Sequence, residues 1–403
     1  MHRLTLAVNF NLRDYMKAFK IIITIIICCI SCQKENTEIL GLPIIFRFFN
    51  DADTIGATLT LIGENFSKYP SNNIVGFQGI ETESFYCDKS TIKVVVPEFA
   101  KTGTISLHVY SQTTVSKDTF TVVTGKFIKK KSMPIGRFNS VAFTIGEKGY
   151  ITTGTDDDLW EYNSISDEWR KKSDFIGGLR RQAFSFVING KAYVGAGTNM
   201  SPITSVNDFY EYDPINDLWT KKSNIPISTF FSDDIVGLAI NNKGYIITGS
   251  STFNLVLEYN PETDEWIKKA DFPGIARNAA AGFVINNKGY FGIGWPGGLP
   301  FLYDLWEYDP TNDQWTRKAD LPKLLGYDAV GFSINNKGYF ANGNYNSYMV
   351  WEYNSVNDSW DRKLNFPGES NGYASVFVID NCAYIIGGTA TNKVSDENWC
   401  FYP

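Results

Sequence analysis

Residues 306–315, Trp-Glu-Tyr-Asp-Pro-Thr-Asn-Asp-Gln-Trp, are one copy of a phrase that recurs at 160–169, 210–219, 257–266 and 351–360. Every copy keeps Glu-Tyr at its second and third places and Asp-x-Trp at its end. Upstream of each lies an aromatic followed four residues later by glycine: Tyr150/Gly154, Tyr193/Gly197, Tyr245/Gly249, Tyr290/Gly294 and Tyr339/Gly343, with a sixth case at Tyr384/Gly388. Successive tyrosines stand 43 to 52 residues apart. A chain that repeats itself at this period must stack like units, so its core runs from unit to unit.

Composition narrows the secondary structure. Aromatics make up 15% of the 403 residues and there are 34 glycines, which favours strands and tight turns. The only histidines, His2 and His108, lie outside the repeats, so a His-ligated metal or His-based acid/base chemistry is not expected there, and no cofactor is expected. The net charge is −6; the first 31 residues carry +3, leaving −9 on the rest. An acidic body without a basic stripe argues against nucleic acid as a partner.

Met16-Lys17-Ala18-Phe19-Lys20 followed by the apolar run 21–30 has the layout of an export signal, and the run is too short for a stable spanning helix. Residues 1–31 are therefore read as a signal region, with Met16 as the start. Ser31-Cys32 resembles the junction of a bacterial lipoprotein signal, although Cys29 stands where leucine is usual. The resemblance implies lipidation of Cys32, 32–41 as a linker, and a partner in the membrane. Gln33-Lys34-Glu35 resembles the tag of lipoproteins displayed on the outer leaflet of the outer membrane; a periplasm-facing anchor is the alternative.

Residues 42–124 alternate in short stretches such as 57–62, 92–96, 105–109 and 120–123, spaced as in a small β-sandwich. Gly56, Gly63-Glu64-Asn65-Phe66-Ser67, Val75-Gly76-Phe77, Val96-Pro97 and Gly103-Thr104 resemble the immunoglobulin-like IPT/TIG domain. That implies a spacer or interaction module without catalysis. Phe46, Phe48 and Phe49 are expected in its core, and Cys87 as its buried thiol.

From residue 125 to 403 the units resemble kelch repeats, which build β-propellers from four-stranded blades. The Tyr-x-x-x-Gly phrase is the second strand, Glu-Tyr the third, the terminal Trp opens the fourth, and apolar runs such as 281–285 are the first. The sixth unit stops just after its third strand, at Trp399 to Pro403. Phe127, with Lys129 and Lys130 at +2 and +3 and Pro134 at +7, repeats the frame of Trp219-Lys221-Lys222-Pro226 and its counterparts. The expected fold is thus all-β: an Ig-like sandwich, then a six-bladed kelch-type propeller whose last blade is completed by residues ~126–131. Basic pairs on the outermost strands discourage edge-to-edge pairing.

Five units carry Lys148, Lys191, Lys243, Lys288 or Lys337 two places before the tyrosine, together with Glu161, Glu211, Glu258, Glu307 or Glu352 on the third strand. The sixth has Cys382 and Cys400 at those places. Joint replacement suggests facing residues: five Lys–Glu pairs and one Cys382–Cys400 disulfide, which an exported protein permits.

Alternating strands put the 2–3 and 4–1 loops on one face. That face is irregular, where binding residues gather, whereas the 1–2 and 3–4 turns are uniform. Trp295 is the one tryptophan of ten outside the repeat positions; with Phe301, Tyr303, Tyr345, Tyr348, Phe230 and Phe231 it supplies aromatics to the irregular face. Arg137, Arg181 and Arg277 begin first strands near the same mouth. Aromatics beside polar groups suit a glycan or a peptide. Asp156-Asp157-Asp158 and Asp233-Asp234 read as solvated turns. Resemblance to kelch proteins also raises two enzymes: copper radical oxidases, which need the absent histidines, and sialic-acid epimerases, which the arginines keep open. The expected function is a non-catalytic, lipid-anchored surface protein binding glycan or protein; an epimerase-type enzyme or a purely structural envelope protein is the alternative.

Overall fold

The computed structural model describes residues 41–403 except 228–233, 250–252, 324, 345–346, 370–371 and 391–392. Among the described residues, the regular structure is all β apart from one 3-10 turn at Pro70–Asn72. The first domain is two sheets. One holds the strands Ile44–Phe49, Thr58–Glu64, Thr91–Val95 and Tyr86–Cys87; the other is built on Gln112–Val122, Gly103–Val109 and Asn73–Phe77. Between them lie Leu59, Leu61, Phe66, Phe77, Ile92 and Phe120. Of the three phenylalanines expected inside, only Phe48 packs on this core; Phe46 and Phe49 are more than half exposed, because the register shifts between Ile45 and Arg47. Cys87, expected as a buried thiol, is half-buried against the same core.

The remainder contains six four-stranded antiparallel sheets, with two smaller ones, Arg180–Arg181 with Thr198–Met200 and Ile203–Ser205, and Thr389–Ala390 with Lys393–Val394, in the connections. The sixth is composite: Ala374–Ile379, Cys382–Gly387 and Asn398–Tyr402 are joined by Lys126–Lys130, with Phe127 opposite Phe401. Phe127 packs edge-on to Phe366 and lies 4.8 Å from the Phe401 ring. The first strands of the sheets contact one another in a cycle: Val141–Ile145, Phe184–Ile188, Val236–Ile240, Ala281–Ile285, Val330–Ile334, Ala374–Ile379, and back to the first. Glycine before the second-strand tyrosine has a packing reason: a Cβ at Gly149, Gly244 or Gly338 would collide with the Phe377, Phe186 or Phe283 ring of the preceding sheet.

Asp-x-Trp works as a clamp between sheets. Asp167, Asp217, Asp264, Asp313 and Asp358 adopt left-handed φ of 49° to 55°. Each carboxylate accepts its own third-strand tyrosine hydroxyl, at 2.6–2.7 Å from Tyr162, Tyr212, Tyr259, Tyr308 or Tyr353. Each also accepts the backbone N–H of one residue in the preceding sheet (Lys131, Ser173, Ser223, Ala270 or Ala319) at 2.9–3.2 Å. Two positions on, the tryptophan donates Nε1–H to the carbonyl of that same residue, at 2.9–3.3 Å. One residue per sheet is therefore held at both its backbone groups, which would otherwise be costly to leave unpaired.

The sixth unit lacks Asp-x-Trp. Its equivalent target, Leu364, instead donates its N–H to the Thr124 carbonyl at 3.0 Å, and Lys363 Nζ reaches Thr124 Oγ1 at 3.0 Å. Nearby, Asp51 of the first domain accepts from Arg362 at 3.0 and 3.2 Å and lies 3.6 Å from Lys323. The first domain therefore meets the edge of the fifth sheet at two points, Thr124 and Asp51.

The strand-register glutamates have a more constant partner than lysine. Glu161, Glu211, Glu258, Glu307 and Glu352 sit directly opposite Tyr150, Tyr193, Tyr245, Tyr290 and Tyr339 and accept their hydroxyls at 2.7–2.9 Å. The lysine two residues earlier reaches the carboxylate diagonally in two units, Lys191–Glu211 and Lys288–Glu307, both at 2.7 Å. Glu258 and Glu352 are met from the fourth strand, by Lys269 at 3.5 Å and Lys363 at 3.0 Å. Cys382 and Cys400 form a disulfide within the composite sheet.

A candidate ligand-binding mouth

Eleven residues before each second-strand tyrosine the chain bends into its first strand. The six residues at that bend are Asn139, Gln182, Asp234, Ala279, Asp328 and Tyr373, all with left-handed φ between 51° and 58°. Four hydrogen bonds link the backbones of five of them. Gln182 N–H donates to the Asn139 carbonyl, Asn139 to Tyr373, Tyr373 to Asp328 and Asp328 to Ala279, at 3.1–3.3 Å. The same positions line a cavity of about 170 Å³, with Ser140 and small residues such as Ala183, Ala280, Ala329 and Ala374 behind them. Identical backbone geometry thus presents two carboxyls, two amides and a phenol to one space.

Electrostatics distinguish one group. Burial, reinforced by the Asp234 charge, pushes the Asp328 carboxyl up to about 7 against the opposing effect of contacts to Tyr373 and Asn344. Asp234 accepts from Gln182 Nε2 at 2.7 Å. The Tyr373 phenol is pushed up by its own burial and by the Asp328 charge, so it remains a hydrogen-bond donor. Near neutrality the Asp328 carboxyl can donate or accept, which suits a ligand rich in hydroxyl groups. Among the described residues no group of three or more His, Cys, Asp or Glu side chains is arranged to hold a metal.

Beside the mouth, Trp295 stacks on Tyr327, the neighbour of Asp328, with ring centroids 6.1 Å apart. Its backbone exchanges two 2.9 Å hydrogen bonds with Asn278, which fixes the ring at the rim with 38% of its surface exposed. Phe301 is buried against Tyr327 and serves as support. Tyr303 faces a different space, a lateral groove of about 480 Å³ shared with Trp306, Arg317 and Asp320. Tyr348 packs into the interior between the fifth and sixth sheets. Phe230, Phe231 and Tyr345 lie outside the described residues, as does Asp233.

The arginines are corrections. Arg137 and Arg277 are fully buried and ion-paired to Asp158 and Asp304, the residues two places before the third-strand tryptophans. Asp304 is held below the usual carboxylate range: burial opposes this, but the Arg277 guanidinium and the Trp306 indole outweigh it. In the second unit the equivalent residue is Arg180, one position before the arginine read from sequence; it is fully buried and pairs with Asp208 at 2.5 Å. Arg181 instead lies over the Phe138 ring at 4.4 Å. Asp158 is accordingly a buried ion-pair partner and Asp234 a mouth residue, neither a solvated turn. A signal for the pairs was present: arginine 13 residues before the tyrosine occurs in the three units that carry Asp before the third strand.

An all-β chain with an immunoglobulin-like first domain and a propeller-like assembly of small sheets is the class these features define. Residues 43–122 match the IPT/TIG domain. A solved structure titled "Structure of YjhT" is similar to the chain with a TM-score of 0.57 and 20% identity; the match covers 66% of this chain and 95% of that one, and it is a likeness of fold. No curated protein matches the chain.

Proposed function

We propose that the chain is a lipid-anchored, cell-surface binding protein that takes a glycan in the mouth of a closed six-bladed, kelch-type propeller. The observation that carries this reading is the set of six left-handed residues, one per unit, five of which bring different polar side chains to one cavity, with the stacked Trp295–Tyr327 pair next to Asp328 in the chain taken as its rim. Closure is supported by the cycle of first-strand contacts and by Thr124 standing where the sixth clamp is missing. A sugar ring needs an apolar face to stack on and directional partners for its hydroxyls, and rim and floor supply these in turn. Cys32, carrying several acyl chains, would hold the protein stably at the outer membrane.

Glycan-array binding by the chain from Gln33 onward, alongside Trp295→Ala and Asp328→Asn, tests the reading. Sugar binding weakened at least tenfold by either substitution is expected. Failure to bind any sugar would move the mouth to a peptide ligand. One observation favours a second reading, a carbohydrate-modifying enzyme of the epimerase type: Asp328 is poised to exchange a proton near neutrality. Turnover of a sugar by the intact chain that Asp328→Asn abolishes would establish it.

A further inference from the structure

The exposed apolar side chains of this molecule are unevenly distributed. In the repeats several stand singly at turn tips, as do Ile165, Ile215 and Val356, each in the same position of its reversal. In the first domain Phe46, Phe49 and Tyr86 stand exposed together on one sheet, while Phe99, Tyr110 and Val115 are exposed away from it. Phe49 lies opposite Thr60, Thr60 opposite Lys93, and Lys93 opposite Tyr86, so the four form one row across the strands. Phe49 and Tyr86 are 52% and 47% exposed, and Phe46, lifted out by the register shift, is 57% exposed. Each end of the row carries a cation on its ring: the Arg47 guanidinium lies 5.2 Å from the Phe49 centroid and Lys93 Nζ 5.4 Å from that of Tyr86. The other sheet of the sandwich turns Glu81 and Glu83 outward, with His108 paired to Glu81. The domain therefore has one side with three exposed aromatics and two cations against a single strand carboxylate, Glu64, and another that carries Glu81 and Glu83.

We propose that the aromatic–cationic face lies against an anionic lipid surface. Rings with cationic caps suit the boundary between headgroups and acyl chains, where the aromatic body is buried and the charge stays among phosphates. Position favours the same occupant. Only eight residues separate Cys32 from Gly41, where the described chain begins, and fully extended they span at most about 30 Å. A domain on so short a leash stays close to the bilayer that holds it. This step rests on the lipid-anchor reading, although the affinity of the face itself does not require the acyl chains.

The chain from Gln33 onward retains every described residue and lacks Cys32, so it isolates the face. It should co-sediment with vesicles of phosphatidylglycerol and phosphatidylethanolamine, and at least tenfold more weakly with phosphatidylcholine alone. The double variant Arg47→Glu/Lys93→Glu should lower the association at least tenfold, each cation near an anionic surface being worth roughly fivefold. Phe46→Ser/Phe49→Ser should also weaken it, with an unchanged unfolding midpoint showing that the fold survives. Absence of vesicle binding, or binding indifferent to both variants, overturns the proposal. So does a dimer in light scattering that either variant dissociates, since a second copy would then be the occupant. Mass spectrometry of the membrane-extracted full chain tests the anchor separately: an acylated Cys32 without vesicle binding by the shorter chain sinks the face and leaves the anchor standing.

Discussion

The repeats use aspartate in two places and to opposite effect. On the turns between third and fourth strands, Asp217, Asp313 and Asp358 are held below the ordinary carboxylate range. Burial works against this, but tyrosine hydroxyls, backbone N–H groups and a nearby lysine prevail. At the mouth, Asp328 has the same left-handed backbone yet is pushed up to about 7, because burial is joined by the charge of Asp234. The clamp is the same in five units and its hydrogen bonds are met within the protein. The mouth keeps the backbone constant and varies the side chain. Repetition at one place builds the assembly; variation on a fixed backbone at the other gathers different polar groups around one cavity.

The strongest test of that contrast lies at the clamp. Trp219 is 5% exposed, packs 4.8 Å from Phe175 and 4.9 Å from Tyr212, and donates to Ser173. Trp219→Ala should cost about 3–5 kcal/mol in urea or thermal unfolding. A loss below about 1 kcal/mol would show that the clamp is not what joins the sheets. Next in size is the composite sheet. Replacing both Cys382 and Cys400 by serine opens a link across a separation of 18 residues and should cost about 2–4 kcal/mol. The same loss on reduction of the unmodified chain would confirm that the bond is responsible.

Opposite pKa shifts predict opposite pH dependences. The depressed clamp carboxylates stabilise the fold above their unfolded pKa near 3.8, and that contribution disappears as pH falls through their lower folded values. Asp328 is raised, so the folded state holds its proton more tightly. Its contribution is fully present below 3.8 and is lost as pH rises toward about 7. Asp328→Asn should therefore leave stability nearly unchanged at pH 4 and increase it at pH 8, by about 1–2 kcal/mol given that the group borders an open cavity. An equal effect at both pH values would break the contrast between clamp and mouth.

How much of this was legible in the sequence follows the same division. The strand frame, the pairing of Phe127 with the last strand and the Cys382–Cys400 link could be read because register aromatics and their neighbours recur in every unit. The residues that line the mouth were missed, Asp234 having been read as a solvated turn, for the opposite reason: Asn139, Gln182, Asp234, Ala279, Asp328 and Tyr373 share a backbone conformation and no side-chain chemistry. Only counting eleven residues back from each tyrosine aligns them. Arginines drew attention because charge at a mouth suggests a ligand, yet Arg137 and Arg277 are satisfied by Asp158 and Asp304 inside their own units. The Lys–Glu idea found a true coupling and assigned it to the wrong first partner, since side chains directly opposite meet before diagonal ones do.

The smallest expected effect on stability is the most informative about function. Trp295 is a tryptophan like Trp219, but it keeps 38% of its surface exposed, and its main-chain bonds to Asn278 do not depend on the side chain. Truncation would remove a stacking contact with Tyr327 and the partly buried share of the ring, so Trp295→Ala should shift unfolding by about 1 kcal/mol, well below the loss at Trp219. Ligand binding, by contrast, should fall at least tenfold if the ring is the platform beside the mouth. A large stability loss would place Trp295 with the clamp residues as structural packing. A small stability loss with unchanged binding would confine recognition to the floor of the mouth, where Asp328→Asn then becomes the deciding variant.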